Sequence, residues 1–294
     1  MASILIPLGL ALLMLAVGLE THLTDFRALV RAPGAVTLGL ALQLVGLPGL
    51  AFGLAELFAL PPDAAVGLVL VAAAPGGVTA NFATLMARGD VALAVTLTVV
   101  TSLLAPLVVP LWAGLAFARL AAEQVTLVLP LGPTVGAILA VTVLPLLVGA
   151  TLAHRLPVRV AAARPLVRRL STAVFLAIVA AAILAQWSAL VAFGADLFGP
   201  TLALNLAGLT AVLVLGRLLG IAPARIAAIA LSTGLRNVAL ALTVAITLLG
   251  RPDVAVAATV YVVVMNLVAL AVIVPARRRA LVTDQGGDRR DAVE

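Results

Sequence analysis

The sequence contains no cysteine and no lysine, and it has little aromatic (4%) or charged (10%) content. Without cysteine there are no disulfides, no thiolate nucleophile and no cysteine-ligated metal site. So few charges among 294 residues exclude an ordinary water-soluble domain. All 18 basic residues are arginine, against 12 acidic ones, and the pI near 11.5 has to be read against a membrane before it implies nucleic acid. What the sequence does have is apolar length. Hydrophobic residues make up 64% of it, in long runs from residue 3 to residue 275 with short polar interruptions.

At about twenty residues per crossing, these runs predict an all-α polytopic membrane protein with nine transmembrane helices. The predicted spans lie near Ser3–Leu19, Pro33–Leu54, Pro62–Met86, Val91–Phe117, Leu131–Ala153, Leu166–Trp187, Pro200–Leu219, Pro223–Leu249 and Val254–Val274. The first lacks a basic leader region and a persuasive cleavage site, so it reads as a span, not a signal peptide. Residues 1–275 form one transmembrane domain, and 276–294, rich in Asp, Gly and Arg, read as a disordered cytoplasmic tail. Odd-numbered connections and the tail hold 15 arginines and even-numbered ones hold 2. The positive-inside rule therefore puts the amino terminus outside and the carboxyl terminus in the cytoplasm, in what reads as the cell inner membrane. This topology accounts for the basic pI, and no nucleic-acid partner is expected.

Two spans are interrupted in matching places. Pro75, Gly76 and Gly77 fall halfway along the third, where proline removes a donor and the glycines permit unwinding. Thr79 and Asn81 follow. The eighth carries Ser232, Thr233, Gly234, Arg236 and Asn237 at its centre, the most polar intramembrane cluster in the chain. Each interrupted span is followed by a polar turn and a similar helix, GDVALAVTLTVV from Gly89 and PDVAVAATVYVV from Pro252. By loop count one interrupted helix starts outside and the other inside. Residues of about 3–117 and 131–275 therefore read as inverted repeats, the pattern of an alternating-access transporter with its site where two broken helices cross. An irregular backbone at that depth is tolerated only against protein or a wet cavity.

Arg236 costs about 2.5–3.5 kcal/mol at the centre of a membrane helix, and no acidic residue lies inside any predicted span to pair with it. Either backbone carbonyls of the unwound segments satisfy it or an anionic substrate does, since a planar cationic fork suits a carboxylate or sulfate. Asn205, Thr210 and Asn266 read first as interhelical hydrogen-bonding residues, with Asn266 also a substrate-binding candidate beside Arg236, Asn237, Thr79 and Asn81. Trp112 and Trp187 read as interface anchors. No catalytic constellation or metal-binding histidine pair is present, so no enzyme and no cofactor are predicted.

At PGGVTAN with ARGDVALAVTLTVVTSLLAPLVVP, at STGLRNVALALTVA and at AVGLETHLTDF the chain resembles the bile acid:sodium symporter family, the sodium-dependent organic anion transporters. The resemblance implies a core domain with two crossing discontinuous helices beside a panel domain, here in its nine-helix form. It also implies sodium ligands at Gln43, Asn81, Thr98 and the position of Ser232. Gln43, Asn81 and Thr98 keep the family's residue types, whereas Ala80 and Ala94 stand where serines are usual. An acidic ligand has become Ser232, and a neutral one has become Arg236. A hard cation needs several oxygens, usually with a negative charge among them. The expected function is therefore a secondary transporter for a small or amphipathic organic anion, with Arg236 taking the place of a bound sodium. A conventional sodium-coupled symporter is the alternative, and a channel a more distant one.

Overall fold

The computed structural model describes residues 2–22, 24–121 and 131–291. Among these the chain is helical and has no strand, only one isolated bridge between Gly76 and Arg236. The helices are α1 (Ala2–Glu20), α2 (Pro33–Leu57), α3 (Pro62–Ala73), α4 (Val78–Met86), α5 (Val91–Leu120) and α6 (Gly132–Arg155). They continue as α7 (Pro157–Ala185), α8 (Trp187–Leu218), α9 (Pro223–Gly234), α10 (Val238–Leu248) and α11 (Ala255–Asp291). Six stretches are long and apolar enough to cross a membrane, five of them within α2, α5, α6, α7 and α8 and the sixth, Pro252–Ile273, running from a short turn into α11; shorter apolar helices lie in α1, α3 and α10. This is an integral membrane protein.

Proline opens α2, α3, α7 and α9, where its missing N–H is no loss and its fixed φ already suits a helix. Elsewhere the chain overrides it. Pro200, expected to begin a span, lies inside α8, because the apolar run from Trp187 continues the same helix on its amino-terminal side. Helix α7 likewise begins at Pro157, ahead of the predicted Leu166. Helix α11 is described as far as Asp291. The last three residues of the expected tail lie outside the described residues.

Helices α1, α6 and α7 pack on one another, and α1 and α6 come closest at two glycines. A Cβ on Gly18 would fall on the Leu146 carbonyl oxygen and one on Gly149 on that of Leu15, the small-residue contact by which membrane helices gain van der Waals packing. In the second group α3 packs on α2, α5 and α11, and α9 packs on α4, α5 and α8. Helices α3, α4, α9 and α10 are short because two longer paths are broken. α3 stops at Ala73 and α4 starts at Val78; α9 stops at Gly234 and α10 starts at Val238.

Candidate functional site at the crossing of the broken helices

The two unwound segments cross and satisfy one another. Gly77 N donates to the Leu235 carbonyl at 2.7 Å and Asn237 N donates to the Pro75 carbonyl at 2.8 Å, a two-bond antiparallel pair far from any sheet. Such an exchange is what a broken helix needs to satisfy its backbone inside a membrane protein. The fit depends on missing side chains. A Cβ on Gly77 would stand 3.0 Å from the Arg236 carbonyl oxygen, and one on Gly76 would lie 3.2–3.4 Å from Ser232 O, Gln43 Oε1 and Thr98 Oγ1. Three oxygens thus converge on the space that Gly76 leaves empty.

The Arg236 side chain, only 1% exposed, enters this region. Nη1 donates to Gln43 Oε1 at 3.3 Å, and Nη2 donates to the Gln43 carbonyl at 3.3 Å and to the Ala72 carbonyl at 2.7 Å. Local sequence explains why these carbonyls are open. Gln43 sits in a π-helical turn, Leu42–Gly46, in which Leu47 N reaches back to Leu42 O. Pro48 follows with no N–H, so neither Gln43 O nor Leu44 O finds its usual donor. Arg236 takes the first and Trp112 Nε1 takes the second at 2.9 Å. Trp112, expected as an interface anchor, instead uses its N–H inside the protein and packs beside Phe52. Ala72 O belongs to the last turn of α3, where the chain breaks before a further N–H can reach it. The guanidinium therefore sits at the negative end of the α3 dipole. A hydrogen bond to a charged group contributes about 1.5–3 kcal/mol, so one short and two longer bonds offset an insertion cost of about 2.5–3.5 kcal/mol.

Around this centre, Thr98 Oγ1 donates to Asn81 Oδ1 at 3.2 Å, and both residues are buried. Ser232 Oγ, Thr233 Oγ1, Gln43 Nε2 and Arg236 Nε are buried without a hydrogen-bond partner among the described residues. Asn237 caps α10 by accepting from Leu240 N at 3.1 Å, and its Nδ2 faces Met14 Sδ on α1. Gly234 is the last residue of α9, and its carbonyl accepts from both Tyr261 Oη and Asn205 Nδ2 at 3.0 Å. Asn205 thus makes the interhelical hydrogen bond expected of it. Tyr261, fully buried on α11, was missed by sequence reasoning, although as the chain's one tyrosine in a Val-rich run it carried a signal.

A cavity of about 750 Å³ opens beside the crossing. Its floor is formed by Gly77, Val78, Thr79, Asn81 and Asn237, with Arg236 on its border; Gln43 and Ala72, which engage the Arg236 headgroup, do not line it. Its walls are apolar, with Leu13, Phe82, Leu85, Val95 and Phe175, and its mouth carries Glu20, Arg164 and Arg169. Helix α4 opens onto the floor with no side-chain cap, so its first N–H groups and dipole favour an anion there. Of the sequence candidates, Thr79, Asn81, Asn237 and Arg236 meet at this floor, while Gln43, Thr98 and Ser232 lie behind it. Asn266 is not brought there: it is exposed, and its Nδ2 bonds to Val262 O on its own helix. Arg164 and Arg169 were read only as charges of the fifth connection, Arg164 ahead of the span expected from Leu166 and Arg169 within its first turn.

The Sodium Bile acid symporter family profile matches residues 7–193. A probable sodium/metabolite cotransporter of chloroplasts in Arabidopsis thaliana, BASS1, is 31% identical over 83% of this chain, and rice BASS2 is 31% identical over 98%. The uncharacterized sodium-dependent transporter YocS of Bacillus subtilis is 42% identical over 36% of the chain. The matched regions span 33% of the Bacillus protein, 59% of the Arabidopsis one and 67% of the rice one. With this profile match and these relatives, the chain belongs to the sodium bile acid symporter family.

Proposed function

We propose that the protein is a secondary transporter of organic anions, working by alternating access, in which Arg236 stands where a relative would hold a sodium ion. The observation that carries this reading is the guanidinium's set of partners: three neutral oxygens, from Gln43 and Ala72, at the carboxyl end of a half-helix. Transporters commonly bind a coupling cation among unwound carbonyls and half-helix carboxyl ends, and an anionic substrate at half-helix amino ends. Here a covalently attached cation takes the first position, and the amino end of α4 offers the second. The residues beside Gln43 do not fit a sodium ion as well, because its Oε1 already accepts from a fixed positive charge. The oxygens of Asn81, Thr98 and Ser232 include no carboxylate to offset another cation. Each broken helix, with the helix that follows it, forms one arm of an inverted repeat in a nine-helix fold. Helices α1, α6 and α7 form the panel against which the rest rocks. On this reading Arg236 acts as a standing charge at the border of the floor, with its headgroup held by Gln43 and Ala72, while Thr79, Asn81 and Asn237 meet the substrate.

A thermal-shift screen of carboxylates, keto acids and sulfated sterols, run in sodium and in potassium, identifies the anion. Uptake of that anion into proteoliposomes is expected to change less than about twofold when potassium replaces sodium. A steep sodium requirement overturns the substitution while leaving transport intact. Arg236→Gln restores a neutral side chain and is expected to abolish uptake; wild-type affinity in that variant counts against the role given to the guanidinium.

A further inference from the structure

We propose that Arg164 and Arg169 form an anion-selecting subsite at the mouth of the cavity, which admits organic monoanions with an apolar body ahead of cations. The inference rests on the reading that anions travel through this cavity, and it concerns a different part of it. Both arginines come from α7, a helix that belongs to neither broken path, and both line the cavity. Arg164 is half-buried and held in place: its Nη2 donates to His22 Nε2 at 2.8 Å, and its Nε is buried without a partner. Arg169 is exposed. Among the described residues no carboxylate forms an ion pair with either; Glu20 shares the mouth, and Asp25 lies against His22. Two guanidinium groups and one carboxylate leave the rim positive, and the apolar walls behind it concentrate that field along the way in. The cavity is graded: charged at the rim, apolar through Leu13, Phe82, Leu85 and Phe175, and neutral polar at the floor. An anionic group on an apolar body meets a complementary surface at each stage. A cation meets repulsion first, and an inorganic anion gains nothing from the walls.

The natural absence of cysteine makes a direct test available. Thr79→Cys places one thiol on the floor, and its reaction rates are measured with 2-sulfonatoethyl methanethiosulfonate and with the 2-trimethylammonioethyl reagent. Each rate is divided by that reagent's rate with 2-mercaptoethanol. The anionic reagent is expected to be favoured about tenfold at low salt, with the preference shrinking as ionic strength rises. In Arg164→Gln/Arg169→Gln the ratio is expected to fall to near one, whereas Arg164→Lys/Arg169→Lys retains most of it. Phe82→Cys serves as the reporter if Thr79→Cys does not fold. A native ratio at or below one overturns the proposal, as does a thiol that neither reagent reaches. A preference that survives the double glutamine variant but disappears in Arg236→Gln also overturns it, by assigning selection to the floor. Sodium-independent uptake is measured separately, so losing that result leaves the mouth's selectivity to stand or fall by itself.

Discussion

The two broken paths are built to one plan but filled differently. Each begins after a helix that closes in a left-handed residue and then restarts on proline: Ala59 (φ 47°) before α3, and Gly220 (φ 65°) before α9. Each ends in a second left-handed turn, at Arg88 (φ 55°) after α4 and at Gly250 (φ 63°) after α10. Each start is also tied to the other path's end. Arg251 Nη2 bonds to Asp63 Oδ1 at 2.6 Å, and Arg225 Nε lies 3.5 Å from Asp90 Oδ2, with the signs exchanged. The breaks themselves differ most. The first is Pro75, Gly76 and Gly77, with almost no side chain; the second is Leu235, Arg236 and Asn237. One path contributes a bare backbone and the open Ala72 carbonyl at the end of its first half-helix, and the other contributes the guanidinium that bonds to that carbonyl. Backbone complementarity therefore tolerates unequal chemistry in the two paths, provided that only one brings bulk to the crossing.

Adding bulk to the empty side is the severest way to break that arrangement. In Gly77→Val the new side chain meets the Arg236 backbone, which the bare Cβ already approaches to 3.0 Å, and the Gly77–Leu235 bond cannot stay in place. Both helix ends then lose the partners that the crossing gives them. Loss of transport and a clear drop in thermal stability in nanodiscs are expected; a wild-type melting temperature would mean that the crossing is not the close contact described. On the filled side the corresponding change is milder. Asn237→Ala removes the α10 cap and is expected to cost about 1 kcal/mol.

The left-handed turns let the comparison be sharpened in both directions. A left-handed residue other than glycine carries a penalty of about 1–2 kcal/mol, which the first path bears at Ala59 and the second avoids at Gly220. Ala59→Gly is therefore expected to raise the melting temperature, and Gly220→Ala to lower it by a similar amount. Chemical denaturation of the two variants side by side checks the sign. If both lower stability, the turns are not equivalent.

How far this plan could be read from sequence depends on the range of the forces involved. The break at Pro75–Gly77 is local chemistry and was legible, and so was the placing of Arg236 in the polar centre of the second broken path. The destination of its guanidinium was not, because Gln43 O is opened by Pro48, and Ala72 O by a break three residues away. Two local events on separate helices become one site only after packing. Asn266 was misplaced because a polar residue in a span does not reveal which face it takes, and its own helix satisfies it at Val262 O. Arg164 and Arg169 were counted as topology signals, since a charge beside an apolar run says little about the cavity it borders until the helix start is known.

The smallest effect expected is at the two exchanged ion pairs, and it separates fastening from stability. Their side chains are 26–38% exposed, so solvent screens them and each pair is worth at most about 0.5–1 kcal/mol. The Asp63–Arg251 pair, at 2.6 Å, should couple more strongly than Asp90–Arg225 at 3.5 Å. Double-mutant cycles built from Asp63→Asn with Arg251→Gln, and from Asp90→Asn with Arg225→Gln, measure each coupling in isolation. If the pairs serve to hold the start of one path to the end of the other, the reversed pair Asp63→Arg/Arg251→Asp should recover most of the transport lost in either single reversal, even where the melting temperature barely moves. Equal coupling at the two pairs, or no recovery on reversal, would mean that the Gly77–Leu235 and Asn237–Pro75 bonds alone keep the paths in register and that the outer charges serve solubility at the membrane surface.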